Sequence, residues 1–203
     1  MNSDLAGLLG RGLAVFLLPP GSKEAAPGWH RRCTTELTVA AGWPAGSNTG
    51  VGCRASCIVG LDLDRHAGKP DGVASFARLA GEHGAGWPST FTVATPSGGG
   101  LHLYFRVSAG DGFASVIGWL PGVDIRGPGR KVGGYLAGPG SATAAGRYVI
   151  AADVQVAPLP RWLSPLLVTV GASSVPGDID ATAARPARPG VRARPVSGRV
   201  RTH

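Results

Sequence analysis

Asp62-Leu63-Asp64 closes the apolar run Ile58-Val59-Gly60-Leu61. Side chains on a β-strand alternate with a period of two, so the two carboxylates face one side while Leu61 and Leu63 face a core. Their Cα atoms then lie roughly 6–7 Å apart, which lets both carboxylates serve one or two hard cations such as Mg2+ or Mn2+. Like charges repel and resist burial, so an apolar strand ending in two acids is costly if packing is its only purpose. The plain alternative is a solvated strand end.

Later segments offer more residues of the same kind. Thr90 to Thr95 and Leu101 to Val107 read as the two strands of a hairpin around the turn Pro96-Ser97-Gly98-Gly99-Gly100. In the second strand Leu101, Leu103, Phe105 and Val107 face one side, and His102, Tyr104 and Arg106 the other. Val123-Asp124-Ile125-Arg126 begins another alternating strand. If these strands share a sheet with the polar face outward, Asp62, Asp64 and Asp124 form a three-acid cradle. Such a cradle can hold two divalent ions about 3.5–4 Å apart and clamp the attacking and leaving oxygens of a phosphoryl transfer. His102, Arg106 and Arg126 would meet phosphate oxygens. The glycine turn after Ser97 lets backbone N–H groups approach them. Taken singly, each has a bland reading: a surface histidine, a conformational glycine turn, an acid facing water.

The elements that must position these residues follow from pattern. Ser3 precedes a short helix with Leu5, Leu8 and Leu9 on one face. Leu13 to Leu18 reads as a buried strand stopped by Pro19-Pro20-Gly21. Thr34 or Thr35 is placed to cap a helix running through Ala41, and Asn48 to Gly52 is extended. The Asp-x-Asp strand spans about 56–63. Asp71 caps a helix with Val73, Phe76, Ala77 and Ala80 inward, closing near Gly84. Tyr135-Leu136-Ala137 and Arg147-Tyr148-Val149-Ile150 read as two more strands. Pro158 to Val170 holds a short helix around Trp162, Leu163, Leu166 and Leu167.

The 203 residues suit one globular domain over 1–170 followed by a tail over 171–203. The tail is rich in Arg, Pro, Ala, Gly and Ser and lacks apolar periodicity, which predicts disorder. The net charge is +8. Six arginines against Asp178 and Asp180 place half of it in the tail. A basic chain with acids gathered at its centre suits a polyanionic partner beside a metal site. Cys33, Cys53 and Cys57 are an odd number without zinc spacing, and read as reduced thiols. No stretch reaches the ~20 apolar residues of a membrane span, and no secretory signal is evident, so a cytoplasmic protein is expected.

In their order, three segments resemble the motifs of a known family. They are Gly60-Leu61-Asp62-Leu63-Asp64, Thr95-Pro96-Ser97-Gly98-Gly99-Gly100-Leu101-His102-Leu103-Tyr104-Phe105, and Pro121-Gly122-Val123-Asp124-Ile125-Arg126-Gly127. The family is the bifunctional DNA primase/polymerase (Prim-Pol) branch of the archaeo-eukaryotic primase superfamily. Leu17-Leu18-Pro19-Pro20-Gly21-Ser22-Lys23, Gly133-Gly134-Tyr135-Leu136-Ala137-Gly138-Pro139 and Pro158-Leu159-Pro160-Arg161-Trp162-Leu163 are similar to its flanking segments, so the resemblance covers about 8–168. It departs from the family in a longer Gly127 to Val132 segment and in Gly138-Pro139-Gly140-Ser141.

The resemblance implies an α+β Prim-Pol fold, a mixed or antiparallel sheet with an RRM-like catalytic subdomain flanked by helices. It implies a nucleotidyltransferase using two Mg2+ or Mn2+ ions, with Asp62, Asp64 and Asp124 as metal-binding catalytic acids. His102 and Ser97 would bind the incoming nucleotide's triphosphate, with Arg126 and Arg106 as further nucleotide contacts. Partners would be a DNA template and primer, dNTPs or NTPs, and a separate replicative helicase. A catalytically degenerate DNA- or nucleotide-binding replication accessory is the alternative within that fold. Haloacid-dehalogenase-like phosphatases also carry Asp-x-Asp. They want Thr or Val soon after it and a later Lys and acid pair, whereas Arg65-His66-Ala67-Gly68 follows here. Nothing in the chain suggests the sugar-nucleotide fold of an Asp-x-Asp glycosyltransferase.

Overall fold

A computed structural model describes residues 3–170; the expected disordered tail over 171–203 lies outside the described residues. In chain order the helices are α1 (Ser3–Gly10), α2 (Leu37–Ala41), α3 (Cys53–Ser56) and α4 (Gly72–Glu82). The strands are β1 (Val15–Leu18), β2 (Asn48–Gly52), β3 (Ile58–Leu63), β4 (Thr92–Ala94), β5 (Leu101–Arg106), β6 (Val116–Leu120), β7 (Val123–Arg126), β8 (Tyr135–Ala137), β9 (Ala142–Thr143), β10 (Gly146–Arg147), β11 (Val149–Ala152) and β12 (Ala157–Pro158). The architecture is the mixed α+β arrangement expected, with mostly antiparallel sheets.

The main sheet runs β11-β4-β5-β3-β7-β6, with β12 parallel to the far end of β5. A second sheet, β1-β2-β8, is antiparallel throughout. The acid-bearing strand β3 is central because its residues are apolar on both faces for most of its length. One face presents Val59, Leu61 and Leu63 together with Leu103, Phe105, Val123 and Ile125. This face packs against Phe76 of α4 and against Leu163 and Leu167. Asp71 starts α4 by accepting a hydrogen bond from the Ala74 N–H, as its position predicts.

The opposite face of the same sheet is divided. At one end Ile58, Val93 and Tyr104 are buried with Leu5, Leu8, Leu13, Val15, Val51 and Leu136, so α1 and the second sheet cover it. Gly60 lets β8 come close: a Cβ there would sit 2.4 Å from Leu136 Cδ1. At the other end the cover stops, and Asp62, His102, Asp124 and Arg126 line an open pocket.

Several elements differ from the sequence expectations. Thr34 does not cap α2; it pairs with Val15 as an isolated bridge, and Glu36 precedes the helix. Cys53–Ser56 forms a helical turn between the two extended segments, so the acid-bearing strand begins at Ile58 rather than near 56. β6 went unrecognised because Gly118 interrupts its alternation in a left-handed conformation, with the register to β7 broken between Val116 and Leu120. The expected strand from Arg147 to Ile150 is divided between β10 and β11. The segment at Trp162 is a turn followed by a short 3-10 helix, Ser164–Leu166, with Pro165 near its start.

Candidate active site

Asp62 occupies the middle of a row. On one side it pairs in register with His102 of β5, and on the other with Asp124 of β7. Directly opposed residues of antiparallel strands project from the same face, so the three side chains stand abreast. Asp64 follows one residue beyond the end of β3. The pocket they enter has a volume of about 570 Å3 and is also lined by Gly21 to Glu24, Thr95 to Ser97, Thr143 to Ala145, and Tyr148.

Each acid is held differently. Asp62 lies 3.2 Å from His102 Nε2 and 3.6 Å from the Arg126 guanidinium. Burial pushes its carboxyl up, but His102, Arg126 and Lys23 together outweigh burial and hold it down at about 2. Asp124 accepts from Arg126 Nη2 at 3.0 Å and from the Gly118 N–H at 2.8 Å. Asp64 is half-exposed, with His66 Nε2 3.5 Å away. Burial and the Asp62 carboxylate raise its proton affinity above the ordinary value, with Asp124 adding to the effect and His66 and Lys23 opposing it. The three acids therefore sense one another.

His102 is almost fully buried. Its ring lies against Tyr148, 5.5 Å between centroids. Its Nδ1 has no hydrogen-bond partner among the described residues. Burial, with the Asp62 and Asp64 charges adding, raises the Tyr148 phenol to about 12, so it stays protonated. Ser97 lines the pocket beside the acids, its hydroxyl 2.7 Å from that of Thr95.

Two residues of the expected polar face lie elsewhere. Tyr104 shares the face of His102 but is fully buried under the second sheet, because that sheet covers the face one pleat away from the pocket. Arg106 does not line the pocket. It sits at the opposite end of β5, where its guanidinium donates to the Ser56 and Arg11 carbonyls and joins α1 and α3 to the sheet. Sequence reasoning also passed over three contributors. Lys23 and Tyr148 line the pocket. Asn48 is buried and joins two of its walls: Nδ2 donates to the Ser22 and Ala142 carbonyls, and Oδ1 accepts from the Ala142 N–H. A buried asparagine at the start of an apolar strand is a signal for such a clasp, since its amide must find partners.

The acids suit a hard divalent cation in kind, since all three offer carboxylate oxygens. Arg126 supplies positive charge between two of them, as a bound cation would. Among the described residues no group of three or more His, Cys, Asp or Glu side chains is arranged to hold a metal ion as they stand. Asp62 and Asp124 turn oxygens toward Arg126, and Asp124 turns the other to Gly118.

The chain belongs to the bifunctional DNA primase/polymerase N-terminal family, whose model matches residues 6–162. Membership places it with primase/polymerase-type nucleotidyltransferases, whose substrates are DNA and nucleotides. No curated protein sequence matches the chain. No helix among the described residues is long and apolar enough to cross a membrane.

Proposed function

We propose that the chain is a DNA primase and/or DNA polymerase. It extends a strand on a DNA template by attack of a 3′-hydroxyl on a nucleotide α-phosphate, releasing pyrophosphate. The observation that carries this reading is the register that sets Asp62 between His102 and Asp124 in one pocket. Asp62, Asp64 and Asp124 would hold two Mg2+ or Mn2+ ions. Such ions, when bound, lower the pKa of the attacking hydroxyl and neutralise charge on the leaving pyrophosphate.

The protein's own groups do the rest. His102, fixed by Asp62 and Tyr148, presents its ring to the triphosphate. Ser97 donates its hydroxyl from the hairpin turn. Arg126 and Lys23 supply positive charge on the rim, and a guanidinium suits paired phosphate oxygens. Asp62, held ionised far below neutral pH, is available as a carboxylate throughout the working range.

The test is a primer-extension and de novo priming assay with dNTPs and NTPs, each with Mg2+ and Mn2+. The expected result is a templated product that Asp62→Ala abolishes. A wild-type protein that gives no product in any combination, or a product insensitive to Asp62→Ala, rejects the proposal.

A further inference from the structure

A second cavity, of about 340 Å3, is walled by Trp29, His30, Cys33, Arg54 and Lys131. We propose that this cavity holds one nucleotide unit of single-stranded DNA by its phosphate and base, an inference that rests on the reading of the chain as a DNA-templated enzyme.

The walls carry cations and no acid. Arg54 and Lys131 line it, and a neutral or protonated His30 adds a polar ring. The two segments that border it, 25–35 and 127–134, contain Arg31, Arg32 and Arg130 as well and not one Asp or Glu. Among the described residues none of these cations forms an ion pair; Arg32, Arg54 and Arg130 donate only to the Pro27, Gly129 and Val170 carbonyls. Positive charge gathered without carboxylate partners is the footprint of an anionic ligand. The aromatic wall is rigid. Trp29 stacks on Phe16 at 4.5 Å and meets Tyr135 edge-on at 4.9 Å. Single strands are bound without sequence preference where bases stack on aromatic side chains beside cations that meet the backbone. The cavity volume is within the range of small-ligand clefts.

Position joins it to the chemistry. The segment from Gly21 to Cys33 lines the acid pocket with its first residues and this cavity with its last. Tyr135 pins that segment midway, its hydroxyl donating to the Lys23 carbonyl and accepting from the Ala25 N–H. One loop therefore supplies walls to both the acid pocket and the cavity.

Lys131 is the residue to change, since it is exposed and makes no hydrogen bond or ion pair among the described residues. Anisotropy of a fluorescein-labelled oligothymidylate, titrated with the full chain at several salt concentrations, reads the site. Lys131→Glu should weaken binding about tenfold or more and lower the salt slope by about 1 or more. Arg78→Glu on α4 should change neither, dAMP should not displace the strand, and dNTP binding should be the same in the Lys131 variant as in wild type. Equal losses from Lys131→Glu and Arg78→Glu, full displacement by dAMP, or wild-type affinity in Lys131→Glu overturns the site. If the wild type binds the strand through Lys131 but synthesises nothing, the site stands and the polymerase reading falls. If it synthesises and Lys131→Glu binds normally, the reverse holds.

Discussion

Arg126 donates a 3.0 Å hydrogen bond to Asp124, its neighbour two residues back on the same strand, and stands 3.6 Å from Asp62 across the strand pair. One guanidinium therefore balances two carboxylates that would otherwise repel each other on a half-buried face. Arg126→Ala should lower the melting temperature in chelator by several degrees, on the order of 1–3 kcal/mol for leaving partly buried charges unpaired. Added Mn2+ should then raise the melting temperature of the variant more than that of wild type, because it replaces the missing positive charge. Equal Mn2+ responses in differential scanning fluorimetry would sink the idea that Arg126 and the cation answer to the same carboxylates.

The Asp62 carboxyl titrates at about 2, below its unfolded value of 3.8. The folded state thus binds its proton more weakly than the unfolded chain does. Its contribution to stability is fully present above about pH 4 and is lost as pH falls through about 2, for a total of about 2 kcal/mol. In metal-free buffer, the stability of wild type relative to Asp62→Asn should fall over that interval. A difference that is flat between pH 4 and pH 2 in chemical denaturation would contradict it.

Tyr148 holds the ring of His102 from one side, while Asp62 holds Nε2. Tyr148→Ala frees that ring in a widened pocket. The nucleotide KM should rise about tenfold with a smaller change in kcat, and Tyr148→Phe, which keeps the ring contact, should restore most of it. A kcat loss without a KM change, or no rescue by phenylalanine, would assign Tyr148 a different part.

Gly72 opens α4 with no room for a side chain. A Cβ there would lie 2.0 Å from the Gly122 carbonyl oxygen and 2.9 Å from the Asp64 nitrogen. Alanine is the better helix former by about 1 kcal/mol. Here it must part three backbone segments, at a typical overpacking cost of about 1–3 kcal/mol or more. Gly72→Ala should therefore destabilise the fold, and it should reduce synthesis beyond what the lost stability explains, because Asp64 and the turn before Asp124 move with it. Synthesis measured well below the variant's melting temperature separates the two effects.

The acids, His102 and the hairpin were legible because a period of two is a local property. Asp62, His102 and Asp124 each sit on an alternating strand, and their faces could be assigned without knowing the sheet. What the alternation could not say is where the cover ends. Tyr104 and His102 share a face, yet one is under the second sheet and the other is at the pocket. Arg106 shares that face too and serves as a brace at its far end. Lys23, Asn48 and Tyr148 escaped notice because they come from distant parts of the chain, and their roles arise only when the walls meet. β6 was hidden by Gly118, whose N–H nevertheless supplies a hydrogen bond to Asp124.

The loop from Arg65 to Asp71 leaves and returns through a closed neck. The Asp64 N–H donates to the Gly122 carbonyl at 2.8 Å, and the Gly72 N–H donates to the Asp64 carbonyl at 2.8 Å. Backbone bonds at the base fix where the Asp64 main chain stands, while His66 within the loop meets its carboxylate. The loop is accordingly a place where chain length can vary at little entropic cost, since closure entropy grows only slowly with length. A fused tag or an accessory module spliced between His66 and Lys69 would hang from this neck as from a hinge pin, leaving the backbone at Asp64 in place.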